Sequence, residues 1–170
     1  MRLFSAGLRS LNRNPAGFVA HRGMAVLKGI PTTITPELLK ILADMGHGDE
    51  LVIADANFPA KTCAGDRPVV RADSIGADLM LRSILRLFPL DTFEAPAAVM
   101  QRVDKPAEDA PIFAAFQTSL DRAHKAPVTM LRIERFAFYE RAKKSFAVVQ
   151  TGETALYGNI IIKKGVIGKS

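Results

Sequence analysis

The run Leu51-Val52-Ile53-Ala54 most narrows what this chain can become, because four apolar residues in succession leave a strand no solvent-facing side. Such a strand needs cover on both faces, as in a parallel sheet sandwiched between helices. Further short apolar runs occupy residues 69–71, 99–103, 128–133, 147–151 and 160–162, and amphipathic segments separate them. This alternation predicts an α/β fold: one compact domain with a mainly parallel sheet flanked by helices. At 170 residues the chain is long enough for one such domain with a real core. Neither an internal repeat nor an interdomain linker is visible.

Local chemistry marks the helix boundaries. Thr35-Pro36-Glu37 supplies an N-cap, a proline in the first helical position and an acid in the first turn. Leu38, Leu39, Ile41, Leu42 and Met45 follow at helical spacing as a buried stripe, and Gly46 is the expected stop. Asp73 or Ser74 is expected to cap a second helix running to about Phe88, with Ile75, Leu79, Leu81, Ile84, Leu85 and Phe88 facing the core. Ile112, Phe113, Phe116 and Leu120 mark a third helix. Residues 135–146 form a fourth, with Phe138, Ala142 and Phe146 inward and a Glu140–Lys144 pair in solvent. Residues 58–68 read as a loop and residues 105–111 as a polar connection.

The net charge of +6 would suit a nucleic-acid partner, but its distribution argues against one. Arg2, Arg9, Arg13, Arg22 and Lys28 lie in an acid-free stretch, so the remainder is close to neutral and has no arginine cluster interleaved with aromatics. Residues 1–23 fit a transit peptide or, better, a start upstream of Met24, where a more conventional sequence begins. That basic extension is expected to be poorly ordered and dispensable for chemistry, leaving residues 24–170 as the domain. No apolar run approaches the roughly 18 residues that span a bilayer, so no membrane partner is expected. Cys63 is the only cysteine, which excludes a disulfide framework and points to a cytoplasmic setting. His21, His47 and His124 lie far apart and no ligand-pair spacing occurs, so no metal site is expected.

Three constellations carry chemistry. In Gly46-His47-Gly48 the flanking glycines let an imidazole project from a tight turn, while Asp55 closes the apolar strand, where open α/β sheets place ligands. Read locally, the same residues also fit a helix end followed by a turn that happens to contain a histidine. Arg135 and Tyr139 are four apart on one helical face, as substrate contacts or as surface hydrogen-bonding groups. Tyr157-Gly158-Asn159 joins a phenol and a carboxamide around a glycine, a set suited to neutral hydroxyls, and equally an ordinary turn entering a strand.

Jointly these segments carry more than they do singly. Pro36-Glu37-Leu38-Leu39-Lys40, Met45-Gly46-His47-Gly48-Asp49-Glu50, Asp55-Ala56-Asn57-Phe58-Pro59, Arg71-Ala72-Asp73, Arg135-Phe136-Ala137-Phe138-Tyr139-Glu140-Arg141 and Tyr157-Gly158-Asn159 resemble, in order, the L-fucose mutarotase family, which is related to the D-ribose pyranases. The resemblance spans about residues 24–167, and the block at 135–141 looks like the fucose branch. It implies that His47 is the general acid and that Asp55, Arg135, Tyr139, Tyr157, Gly158 and Asn159 bind the sugar. It further implies a compact α/β domain in closed homo-oligomers, often rings, with sites near subunit contacts and a monosaccharide, L-fucose, as partner. Two departures stand out. The tail before Met24 has no counterpart, and Asn57 stands where some relatives have a second histidine, which counts against a mechanism requiring two imidazoles.

Mutarotation protonates the ring oxygen, removes the anomeric hydroxyl proton and recloses the ring on the other face. One acid and one base suffice, with no cofactor, metal or covalent nucleophile expected, and an imidazole with a pKa of about 6.5 can serve either way, typically for about 10²–10⁴-fold. No Gly-rich phosphate loop is present, as suits an unphosphorylated sugar. A ribose pyranase or other monosaccharide mutarotase is the neighbouring expectation, and a non-catalytic sugar-binding accessory of a transporter the more distant one.

Overall fold

The computed structural model describes residues 26–168, so the extension assigned to residues 1–23 lies outside the described residues. Strands β1 (Glu50–Ala54), β2 (Val69–Ala72), β3 (Ala97–Met100), β4 (Met130–Ile133), β5 (Ala147–Thr151) and β6 (Ile160–Lys163) form one sheet in the order β2-β5-β1-β6-β3-β4. The pairs β1–β5, β2–β5 and β3–β4 are parallel, whereas β6 runs antiparallel to both β1 and β3. The sheet is therefore mainly parallel, with one reversed strand at its centre.

Helices α1 (Pro36–Asp44), α2 (Ala60–Ala64), α3 (Ala77–Leu85), α4 (Ile112–His124) and α5 (Arg135–Ala142) cover both faces. Side chains alternate across a strand, and β1 shows the consequence. Leu51 and Ile53 join Leu38, Ile41, Met80, Leu81, Ile84, Phe113 and Phe116 on the α1–α3–α4 side. Val52 and Ala54 join Phe58, Cys63, Phe138 and Ala142 on the α2–α5 side. Each fully buried Val, Leu, Ile or Phe contributes about 1.5–3 kcal/mol, and that is why the run could not tolerate a polar residue.

Thr35 caps α1 as its chemistry predicts, its Oγ1 accepting the Leu38 N–H at 3.2 Å. Elsewhere long-range contacts moved boundaries that local signals had placed. The helix expected to start at Asp73 or Ser74 begins at Ala77, because the distant Glu153 carboxylate accepts the Ala77 N–H at 3.2 Å while Asp73 pairs with Arg71. It ends at Leu85 rather than near Phe88. Leu79, expected inside, is exposed, and Met80 is buried in its stead. Residues 58–68 are not simply a loop, since they contain α2. The strand expected at 99–103 is β3, shifted toward its start by pairing with β6, and Val128 lies outside β4 because the Asp121 carboxylate takes its N–H at 2.8 Å. Helix α5 stops at Ala142, before Phe146, whose N–H bonds the Glu50 carbonyl at 2.8 Å. Glu140 pairs with Lys143 at 2.7 Å, not with Lys144. Helix α1 already gives way at Met45, which is extended, and Gly46 donates its N–H to Asp49 at 2.7 Å.

Strand direction decides where chemistry can assemble. Five strands point one way and β6 the other, so the carboxyl ends of β1, β3 and β4 meet the amino end of β6 along one sheet edge.

Candidate active site

Asp55 follows β1 at that edge and is buried. The antiparallel register pairs Ile53 with Ile160, which brings Asn159 beside the end of β1. Two bonds lock the pair: Asn159 Oδ1 accepts the Asp55 N–H at 2.9 Å, and Asn159 Nδ2 donates to Asp55 Oδ2 at 2.7 Å. The other carboxylate oxygen accepts the Asn57 N–H at 2.9 Å. Burial is the largest influence on Asp55 and lifts its pKa above the ordinary 3.8; the Asn159 bond and the backbone N–H groups of Asn57 and Phe58 only partly oppose it, and nearby Glu153 adds to the rise. Gly158 lets the chain pass closely here, since a Cβ there would lie 2.7 Å from the Glu153 side chain, 3.0 Å from the Ala155 carbonyl oxygen and 3.4 Å from the Asp55 Cβ.

Helix α5 begins directly after β4 and so delivers Arg135 to the same edge. Its first turn is capped by Glu134, whose Oε2 accepts the N–H groups of Phe136 and Ala137 at 2.7 and 3.1 Å. The Arg135 guanidinium lies 4.7 Å from the centre of the Phe136 ring, and its Nε is buried with no hydrogen-bond partner among the described residues. Tyr139 lies one turn on, its ring 5.7 Å from that of Phe58, and burial pushes its phenol pKa up. Tyr157 adopts φ 63°, and its hydroxyl donates to Asp104 and accepts the Val103 N–H, both at 3.1 Å. The Asp104 carboxyl is held down to about 2, chiefly by Arg102 with help from Tyr157.

These residues enclose a cleft of about 210 Å³ lined by Asp55, Asn57, Phe58, Met100, Arg135, Tyr139, Leu156, Tyr157 and Asn159. Its volume falls below the ~300–1,000 Å³ of pockets for drug-sized ligands and suits a single small ring. Asp55 is its only carboxylate among the described residues. Met100 and Leu156 were invisible to sequence reasoning, because an apolar residue at a strand end or in a turn carries no motif. Among the described residues no three His, Cys, Asp or Glu side chains gather where they could hold a metal ion.

His47 is not brought to this cleft within the chain. It precedes β1 whereas Asp55 follows it, and the five residues of β1 span about 16 Å at ~3.3 Å per residue. At its own edge the imidazole is 47% exposed, its Nε2 lies 3.3 Å from Oδ1 of the buried Asp91, and its ring meets that of Phe93 edge-on at 5.6 Å. Gly48, at φ 85°, is the flanking glycine that the turn requires.

This fold and its site define a class: a three-layer α/β domain with a small polar cleft at the strand ends. More particularly, the chain belongs to the RbsD / FucU transport protein family, which it matches over residues 28–167. It is 55% identical over 150 residues to a fucose mutarotase of Danio rerio, covering 85% of this chain and 96% of that protein. The fucose mutarotase of Streptococcus pneumoniae, solved in complex with L-fucose, superposes with a TM-score of 0.77 at 42% identity, covering 84% of this chain and all of that one. Bacillus subtilis RbsD complexed with D-ribose shares the fold at a TM-score of 0.60 and 22% identity, covering 79% of this chain and 95% of that one.

Proposed function

We propose that this chain is a fucose mutarotase, interconverting the α and β anomers of L-fucopyranose by acid–base ring opening and closure. The observation that carries the reading is the buried Asp55–Asn159 pair set beside the Arg135 guanidinium in a cleft of single-ring size. Asn159 holds the carboxylate in one orientation, and Arg135 offers a planar fork of donors to vicinal hydroxyls. Asp55 takes the anomeric proton, its raised pKa bringing it closer to a working base than an exposed aspartate is. Phe58, Met100 and Leu156 supply apolar wall. The reaction needs no redox step or group transfer, so these protein groups are enough for it.

His47 then serves as the acid in the site of a neighbouring copy. Both ends of the molecule support such a contact. Phe93, 74% exposed, stands beside His47, while Phe136 and Leu156, 63% and 72% exposed, stand at the cleft. Exposed apolar residues gathered at two different places offer surface for association, and two such patches meeting head to tail make a ring where the rotation between copies closes. No described helix is long and apolar enough to cross a membrane. A cytoplasmic homo-oligomer is the state we infer, with Cys63 a buried free thiol that fits a reducing setting.

Saturation-transfer NMR with L-fucose, D-ribose and other monosaccharides tests this reading. Anomer exchange of L-fucose should exceed the spontaneous rate and that of D-ribose. Preference for ribose would assign a pyranase, and binding without accelerated exchange would assign a sugar-binding accessory.

A further inference from the structure

The strongest unassigned feature is the set of contacts behind His47. Asp91 is buried at 4% exposure, yet its Oδ1 accepts three donors: the Thr92 N–H at 2.8 Å, the Phe93 N–H at 3.2 Å and the imidazole Nε2 at 3.3 Å. Both partners hang from the end of β6. The Asp91 N–H donates to the Lys163 carbonyl at 3.1 Å, and the Gly48 N–H to the Lys164 carbonyl at 2.8 Å. Lys164 Nζ in turn ties down the Leu42 and Met45 carbonyls at 2.8 and 2.5 Å, fixing the end of α1 from which the histidine turn leaves.

Taking His47 as the acid of the proposed mutarotation, we propose that Asp91 is its positioning residue. Asp91 accepts the Nε2–H, so that tautomer is fixed and Nδ1 is the nitrogen that exchanges a proton with the sugar. A carboxylate only accepts, so the nitrogen facing it must carry the hydrogen. Burial works against the Asp91 charge, but the Phe93 N–H, the His47 bond and the Thr92 N–H together hold its carboxyl below the usual aspartate range. Phe93 meets the ring edge-on. Of the charged groups around the turn, Asp49 is engaged by the Gly46 N–H and Lys164 by the two carbonyls, leaving Asp91 as the one bonded to the imidazole among the described residues. In the reaction, the imidazolium Nδ1–H passes its proton to the ring oxygen as C1–O5 breaks. The anomeric hydroxyl gives its proton to Asp55 as C1=O forms, and reclosure on the other face returns both protons.

Two variants separate this role from a structural one. In Asp91→Asn the Thr92 and Phe93 N–H groups require an acceptor, so the amide oxygen stays where Oδ1 was and still receives Nε2–H. Tautomer and kcat should hold within about fivefold, a charge-assisted bond being about twice as strong as a neutral one. Asp91→Ala removes the acceptor, and kcat for L-fucose exchange should fall about tenfold to a hundredfold with KM little changed. The readout beyond activity is ¹⁵N NMR of the imidazoles in the full chain, with His47 identified by its loss in His47→Gln. The wild-type protein above the imidazole transition should show protonated Nε2, and Asp91→Ala should show mixed tautomers. A wild-type ring protonated at Nδ1 overturns the proposal without any variant having to fold, and an undiminished kcat in a folded Asp91→Ala overturns the catalytic role. Failure of the wild-type protein to accelerate L-fucose exchange overturns the functional reading instead, while the imidazole spectrum still decides whether Asp91 fixes the tautomer.

Discussion

Replacing Asn159 by alanine removes both bonds that Asn159 makes to Asp55. The Asp55 N–H, buried and bonded among the described residues only to Asn159 Oδ1, becomes an orphan donor, a loss of about 1–3 kcal/mol. The 2.7 Å bond from Nδ2 to the carboxylate is charge-assisted and contributes about 1.5–3 kcal/mol. The two losses share one partner and are not additive, so the expected destabilisation at pH 7 is about 3 kcal/mol. Its pH dependence follows from Asp55. Burial already raises that carboxyl above 3.8, and the Asn159 bond is the strongest influence pulling it back. Without the bond the folded-state pKa climbs further above the unfolded one. A group raised in this way contributes stability that is present below its unfolded pKa and is lost as pH rises through its folded pKa. The variant's deficit should therefore be smallest near pH 4, about 1–2 kcal/mol from the orphan N–H, and should grow toward pH 7. Urea unfolding at pH 4 and pH 7, at one protein concentration because assembly adds to apparent stability, measures both values. A deficit below about 0.5 kcal/mol, the scale of an ordinary surface change, or one that does not vary with pH, would refute the reasoning.

Arg135→Lys keeps the charge but loses the planar fork, so L-fucose affinity measured by calorimetry should fall about tenfold while thermal unfolding is unchanged. Mixing His47→Gln subunits with Asp55→Asn subunits should restore anomer exchange that neither variant shows alone, because one cleft can then draw an intact imidazole from one copy and an intact carboxylate from another; a mixture as inactive as its components would count against shared sites. A chain starting at Met24 should match the full chain in exchange rate and should unfold within about 0.5 kcal/mol of it, as circular dichroism with urea would read.

Much of this was legible in the sequence, for identifiable reasons. The run at 51–54 dictated a strand covered on both faces, and Thr35-Pro36 dictated the start of α1, because burial and capping act within a few residues. Asp55 at a strand end, Arg135 with Tyr139 on one helical face, and Asn159 before a strand each stood out locally, while their roles in a site came from the resemblance of the ordered segments. Their convergence could not. It depends on β6 running against its neighbours, which brings Asn159 to Asp55 across 104 residues and places Arg135 at the same edge. Likewise the cap of α3 comes from Glu153 and the partner of His47 is Asp91, 76 and 44 residues away. Nothing in a chain of residues specifies which long-range partner wins those bonds until the strands have chosen their directions. The same choice sends His47 and Asp55, eight positions apart in sequence, to opposite ends of β1, since an extended strand carries its two ends apart by about 3.3 Å for every residue between them.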